Sequence, residues 1–72
     1  MIGWNEDYEW TYENFHNVIV TAFNINGETR INLDCEHSSY DNMLEIVAWA
    51  QNDGYHAEID SNKETVQIWK QF

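Results

Sequence analysis

The sequence has no proline, a single cysteine, and three Lys or Arg residues against thirteen Asp or Glu. Each scarcity excludes something. The absence of proline, together with 43% hydrophobic residues, four Trp, four Tyr and three Phe, is the profile of a compact fold and not of a disordered tail. One cysteine, Cys35, cannot close an internal disulfide. At 72 residues the chain makes one acidic domain, residues 1–72, in the size range where a staple is usual, so aromatic packing or a partner subunit must supply stability. No stretch approaches the roughly 18 to 20 apolar residues of a membrane span, and no basic region followed by an apolar run opens the chain. These features, with a lone free thiol, lead to the expectation of a cytoplasmic protein, in the host cytoplasm if phage-encoded.

The formal net charge is −10, and the first basic side chain is Arg30. Such a chain repels nucleic acid and anionic membranes, while basic protein surfaces attract it with faster encounter at low salt. Three bases for thirteen acids leave most acids without an internal partner.

The clearest local signal is Asn26-Gly27 between two β-patterned runs, which reads as a two-residue type I′ hairpin. That register sets Ala22 opposite Ile31, Val20 opposite Leu33 and Val18 opposite Cys35 on one apolar face. The other face then carries Ile19, Phe23 and Ile25 beside Arg30, Asn32 and Asp34, and is half apolar. A helix follows from about Tyr40 to Asn52, with Ser38 or Ser39 to cap it, Asp41 at its positive end and Gly54 as its stop. Its expected inner stripe is Tyr40, Met43, Leu44, Val47, Ala50 and Gln51, with Ile46 and Trp49 on the flank. Tyr55, Ala57 and Ile59 alternate with His56, Glu58 and Asp60, and a polar turn leads to a last strand with Val66, Ile68 and Phe72 on one side and Trp69 on the other. The expected fold is α+β: a β-β-α-β-β core, with a four-stranded antiparallel sheet and one helix on one face.

The second sheet face needs a cover, and residues 4–15, WNEDYEWTYENF, hold five aromatic rings and four carboxylates. As a strand, Tyr8, Trp10 and Tyr12 share one side and Glu9, Thr11 and Glu13 the other. As a helix, Trp4, Tyr8, Tyr12 and Phe15 share a face and Trp10 stands outside. The β-favouring run Trp10-Thr11-Tyr12 favours the extended form. In either form this aromatic segment, an extra strand or a short helix, covers part of the open face.

Chemistry is sparse. Cys35 with His16, His37 and His56 is the one soft-ligand set, and it has no CxxC or HxxxH spacing for a structural zinc. A strand cysteine facing the core is inert, and no assembled catalytic site is visible, so neither enzyme activity nor a cofactor or metal is expected. The run 60–65, DSNKET, lacks the glycine and terminal glutamate of a calcium loop and reads as a turn. The carboxylates carry more information. Acids two apart on a strand, Asp34 and Glu36 or Glu58 and Asp60, point the same way at roughly 6.7 Å spacing. Such rows, joined by Glu9 and Glu13 if the N-terminal stretch is a strand, form an ordered negative surface able to meet the Lys and Arg that would meet a phosphate backbone.

The sequence therefore leads to a small non-enzymatic acidic binding protein that inhibits or regulates a basic protein, one that handles nucleic acid. Its expected contact residues are Glu9, Glu13, Asp34, Glu36, Glu58 and Asp60 with the candidate exposed rings Trp10, Trp49 and Trp69. In size, acidity and lack of catalytic motifs the chain resembles small phage-encoded inhibitors, among them nucleic-acid mimics and anti-CRISPR proteins. That resemblance is one of type, covers no motif and transfers no residue. The alternative is an assembly module, a homodimer closed through the second sheet face; sugar binding by exposed rings is more distant.

Overall fold

The computed structural model describes residues 9–36 and 38–70. Trp4, Tyr8, His37 and Phe72, used in the sequence expectations, lie outside them. The first helix, α1 (Tyr12–Ile19), runs directly into a π-helical segment, Val20–Ile25. Strand β1 (Arg30–Asp34), helix α2 (Tyr40–Asn52), and strands β2 (Tyr55–Asp60) and β3 (Thr65–Lys70) follow. The three strands form one antiparallel sheet in the order β1-β3-β2, so the fold is α+β with two helices and a three-stranded sheet among the described residues.

The expected first hairpin is corrected, and with it the β-β-α-β-β core and the fourth strand. Phe15, Ile19, Ala22 and Phe23 are all buried, and their spacing of i, i+4, i+7 and i+8 is a helical stripe. A type I′ turn requires positive φ at both central residues, yet Asn26 is right-handed at φ −88° and only Gly27 is positive, at φ +71°. Asn-Gly here is a helix stop with glycine in the left-handed position. The Asn26 N–H donates to the Thr21 carbonyl and the Glu28 N–H to the Ala22 carbonyl, both at 2.9 Å, closing the wide π-helical end. In place of the expected Ala22–Ile31 and Val20–Leu33 pairs, β1 pairs with β3, with Ile31 opposite Ile68 and Leu33 opposite Val66.

The aromatic opening is a strand nowhere among the described residues. Thr11 is extended, at φ −97° and ψ 161°, and its side chain caps α1 by accepting the Asn14 N–H at 3.2 Å. The β-favouring run is therefore split, with Tyr12 as the first helical residue.

Helix α2 has the expected bounds. Ser39 caps it by accepting the Asn42 N–H at 3.0 Å, and Gly54 follows its end at φ +91°. Its inner stripe is turned by about one position, however: Asn42, Met43, Ile46 and Ala50 are buried, while Tyr40 and Leu44 are 59% and 46% exposed. The cause is α1, which the sequence expectation did not include. Trp49 on α2 meets Tyr12 and Phe15 of α1 at ring distances of 5.8 and 5.7 Å, turning Ile46 and Trp49 inward. The second hairpin stands as expected, its turn held by Asp60 Oδ1, which accepts the N–H of Asn62 and of Lys63 at 3.1 and 3.3 Å.

One hydrophobic cluster joins Phe15, Ile19 and Phe23 of the first helical run to Leu33, Val66 and Ile68 of the sheet and Met43, Ile46 and Ala50 of α2. Phe23 stacks on Tyr55 at 4.9 Å. At the margin of this cluster sits one polar side chain, Asn42, only 1% exposed. Its Oδ1 accepts the Trp10 N–H at 2.7 Å, and its Nδ2 donates to the Trp10 carbonyl at 3.0 Å and to Glu45 Oε1 at 3.1 Å. The Trp10 indole in turn donates to the Asp34 carbonyl at 3.0 Å. One amide thus fastens the entry of α1 to α2, and the adjacent ring fastens it to the end of β1.

Replacing Asn42 by Ala leaves the Trp10 N–H and C=O without this partner in a half-buried place. An unsatisfied buried group costs roughly 1 to 3 kcal/mol, so Asn42→Ala is expected to lower unfolding stability by about 2 to 4 kcal/mol. Urea denaturation followed by tryptophan fluorescence measures it, and a loss below about 0.5 kcal/mol, the range of ordinary surface substitutions, contradicts the clamp.

Candidate functional site

The helices cover one sheet face and leave the other open among the described residues. Residues directly opposite in an antiparallel pair share a face, so the register composes the open side row by row. Thr65 lies between Asp34 and Asp60, Gln67 between Asn32 and Glu58, and Trp69 between Arg30 and His56. Strands about 4.8 Å apart set Asp34 and Asp60 about 10 Å from one another across β3, and Glu58 stands roughly 6.7 Å along β2 from Asp60. One end of the face is therefore anionic, the other cationic and aromatic.

The cationic end is held internally. The Arg30 guanidinium lies 4.7 Å from the Trp69 ring centroid, and its Nη2 donates to Gln67 Oε1 at 2.6 Å. His56 stacks on the same ring from the other neighbouring strand, at 5.6 Å and 23°. Arg30 is thus directed across the sheet toward β3. This arrangement leaves the opposite end to its carboxylates.

The structure brings Asp34, Glu58, Asp60 and Trp69 onto this one face. Glu36 follows β1, exposed, its N–H donating to Asp34 Oδ1 at 3.0 Å. Glu9 stands at the start of α2, where its carboxylate reaches the Ser39 N–H at 3.4 Å. Glu13 is exposed in the first turn of α1, a helix and not a strand of the sheet. All three candidate exposed rings are corrected as half-buried: Trp10 and Trp49 lie against the hydrophobic cluster, the first by its bond to Asp34 and the second by the rings of α1, and Trp69 lies between Arg30 and His56. Ile19 and Phe23, expected to leave this face half apolar, are in the core instead.

Arg30, His56 and Gln67 belong to the face and were not singled out from sequence. The alternation of residues 55–60 and 65–70 placed His56 and Gln67 on the polar side. Only the β1–β3 pairing reveals that Arg30 meets Trp69. Asn42 carried no signal, since asparagine in the first turn of a helix reads as solvent-facing.

Cys35 is buried at the end of β1. Burial, then the neighbouring Asp34 charge, push its thiol up to about 11 against a lowering hydrogen bond from the Val66 backbone. No group of three or more His, Cys, Asp or Glu residues is placed to hold a metal ion among the described residues. The Tyr12 hydroxyl is also raised, by desolvation and by its 3.2 Å bond to Asp53, which joins α1 to the end of α2. No helix of the described residues is long and apolar enough to cross a membrane. Comparison with protein-family models, with curated proteins and with solved structures gives no match.

The raised thiol makes two expectations. Native Cys35 reacts with a thiol reagent at neutral pH far more slowly than the unfolded chain, since the thiolate is the nucleophile. Because the folded state keeps a proton that the unfolded state releases, Cys35 contributes stability that is complete below the ordinary thiol range and is lost as pH rises through about 11. Alkaline unfolding curves check the sign; stability rising over that window contradicts it.

Proposed function

We propose that this chain is a small non-enzymatic acidic binding protein that docks the open face of its sheet on a basic protein surface, one built to meet nucleic acid, and thereby inhibits or regulates it. The supporting observation is the in-register set Asp34, Glu58 and Asp60 on a face left uncovered among the described residues, beside an Arg30 already engaged by Trp69 and Gln67. A strand-borne row of carboxylates is pre-positioned, so little side-chain and no backbone ordering is needed on docking. The net charge of −10 adds long-range attraction to a cationic partner and keeps the protein from nucleic acid itself. Trp69, half-buried between Arg30 and His56, keeps the one cation of β1 away from the acidic rows. The site is that of a protein acting in the cytoplasm, on this reading. The homodimer alternative was motivated by a half-apolar face. The observed face is polar, and self-pairing would set its acids against one another, so no observation now favours it.

Affinity capture from a cell lysate, run at low and at high salt, tests the proposal. A basic nucleic-acid-handling protein is expected at low salt and released at high salt. The triple variant Asp34→Asn, Glu58→Gln, Asp60→Asn keeps the acceptor oxygens of the two turns yet removes three charges, and should retain on the order of tenfold less partner. Retention of no basic protein at low salt sinks the proposal. Sedimentation separates the alternative, which requires a concentration-dependent dimer.

A further inference from the structure

Beside the edge of β1 that carries no strand among the described residues lies an open groove of about 560 Å³, between that strand and the helical run before it. Val18, Ala22 and Ile31 form its apolar wall, and Thr21, Glu28 and Asn32 stand at its rim. Part of the wall is the π-helical segment, a form found frequently at functional sites.

The register determines what the edge offers. The Cys35 N–H donates to the Glu64 carbonyl and the Lys70 N–H to the Thr29 carbonyl. Residues 29, 31, 33 and 35 are therefore the ones bonded to β3, and residues 30, 32 and 34 turn their N–H and C=O groups outward. The outward carbonyl of Asp34 is closed by the Trp10 indole. Beside Arg30 and Asn32 no strand stands among the described residues. An apolar wall beside unpaired main-chain groups is the arrangement that accepts an added strand.

We infer that the edge of β1 receives an extended basic segment of a partner protein as a fourth strand, its apolar side chains facing the groove and its cations facing Asp34 and the open sheet. The charge of this chain selects the occupant. A second copy would bring another −10 against Glu28 and Asp34, whereas alternating apolar and basic side chains match both sides of the edge. Arg30, the one cation on this strand, is turned away toward Trp69. The inference takes the partner's basic chemistry from the function proposed above and adds the mode by which main chain meets main chain.

The test uses a labelled octapeptide of alternating Val and Lys, with two versions N-methylated on the Val or on the Lys residues, titrated into the full chain and read by fluorescence anisotropy. In an extended strand only one of the two sets of N–H groups faces β1. One methylated version should therefore bind at least roughly tenfold more weakly, and the other like the parent. Asn32→Pro removes an N–H that the sheet does not use, a substitution edge strands tolerate, and should weaken the parent peptide similarly. If that variant fails to fold, the methylated pair decides alone. Three peptides binding alike, or both methylated forms failing alike, overturns edge pairing and leaves the charge-based proposal standing. A parent peptide that does not bind at low salt overturns both. A dimer abolished by Asn32→Pro, with no peptide bound, overturns the basic segment in favour of a second copy.

Discussion

A single carboxamide organises the described part of this molecule. Asn42 offers Trp10 one acceptor and one donor, the same pair of bonds that a neighbouring strand would give. Asn42 is itself positioned by the Ser39 cap at the start of α2, so the ordering runs from a capped helix, through one side chain, to a backbone more than thirty positions earlier. The next residue after Trp10 is Thr11, the cap of α1. The direction in which α1 leaves, and hence whether Phe15, Ile19 and Phe23 reach the sheet, follows from that point.

With α1 in place the two sheet faces differ in kind. One is dry and filled by Val66 and Ile68 against both helices; the other is polar and ordered by strand pleat and by the contacts of Arg30, Gln67, Trp69 and His56. The lone arginine of the open face serves Trp69 and Gln67 and does not neutralise the acids at the far end. Charge segregation on the face is thus a result of packing preferences within it. The guanidinium gains a ring and an amide where a carboxylate in water would give little net stabilisation.

Helix α2 and the β2–β3 hairpin were legible in the sequence because cap, periodicity and stop agree at Ser39, Tyr40–Asn52 and Gly54, and because residues 55–60 alternate without exception. Residues 12–25 were not legible, since β-branched residues and Asn-Gly favour a hairpin locally while Phe15, Ile19, Ala22 and Phe23 fit a helix. Tertiary burial of those four decides the matter. The face shared by Asp34, Glu58, Asp60 and Trp69 survived the wrong pairing because alternation is a property of each strand by itself, whichever strand it meets. Ring exposure is not such a property. Trp10 and Trp49 are half-buried through contacts with elements distant in sequence, which no local pattern encodes.

The strand order β1-β3-β2 has a temporal consequence. The central strand is the last of the three to be made, so β1 is made about thirty residues before β3, its partner among the described residues. At 5 to 20 residues per second, that is roughly 2 to 6 seconds before the β1–β3 pairing can form. Arg30, Asn32 and Asp34, which later define one side of the finished sheet, first act on the nascent chain. Two charges and an amide in five residues are side chains of the kind that discourage an unpaired strand from taking a wrong neighbour.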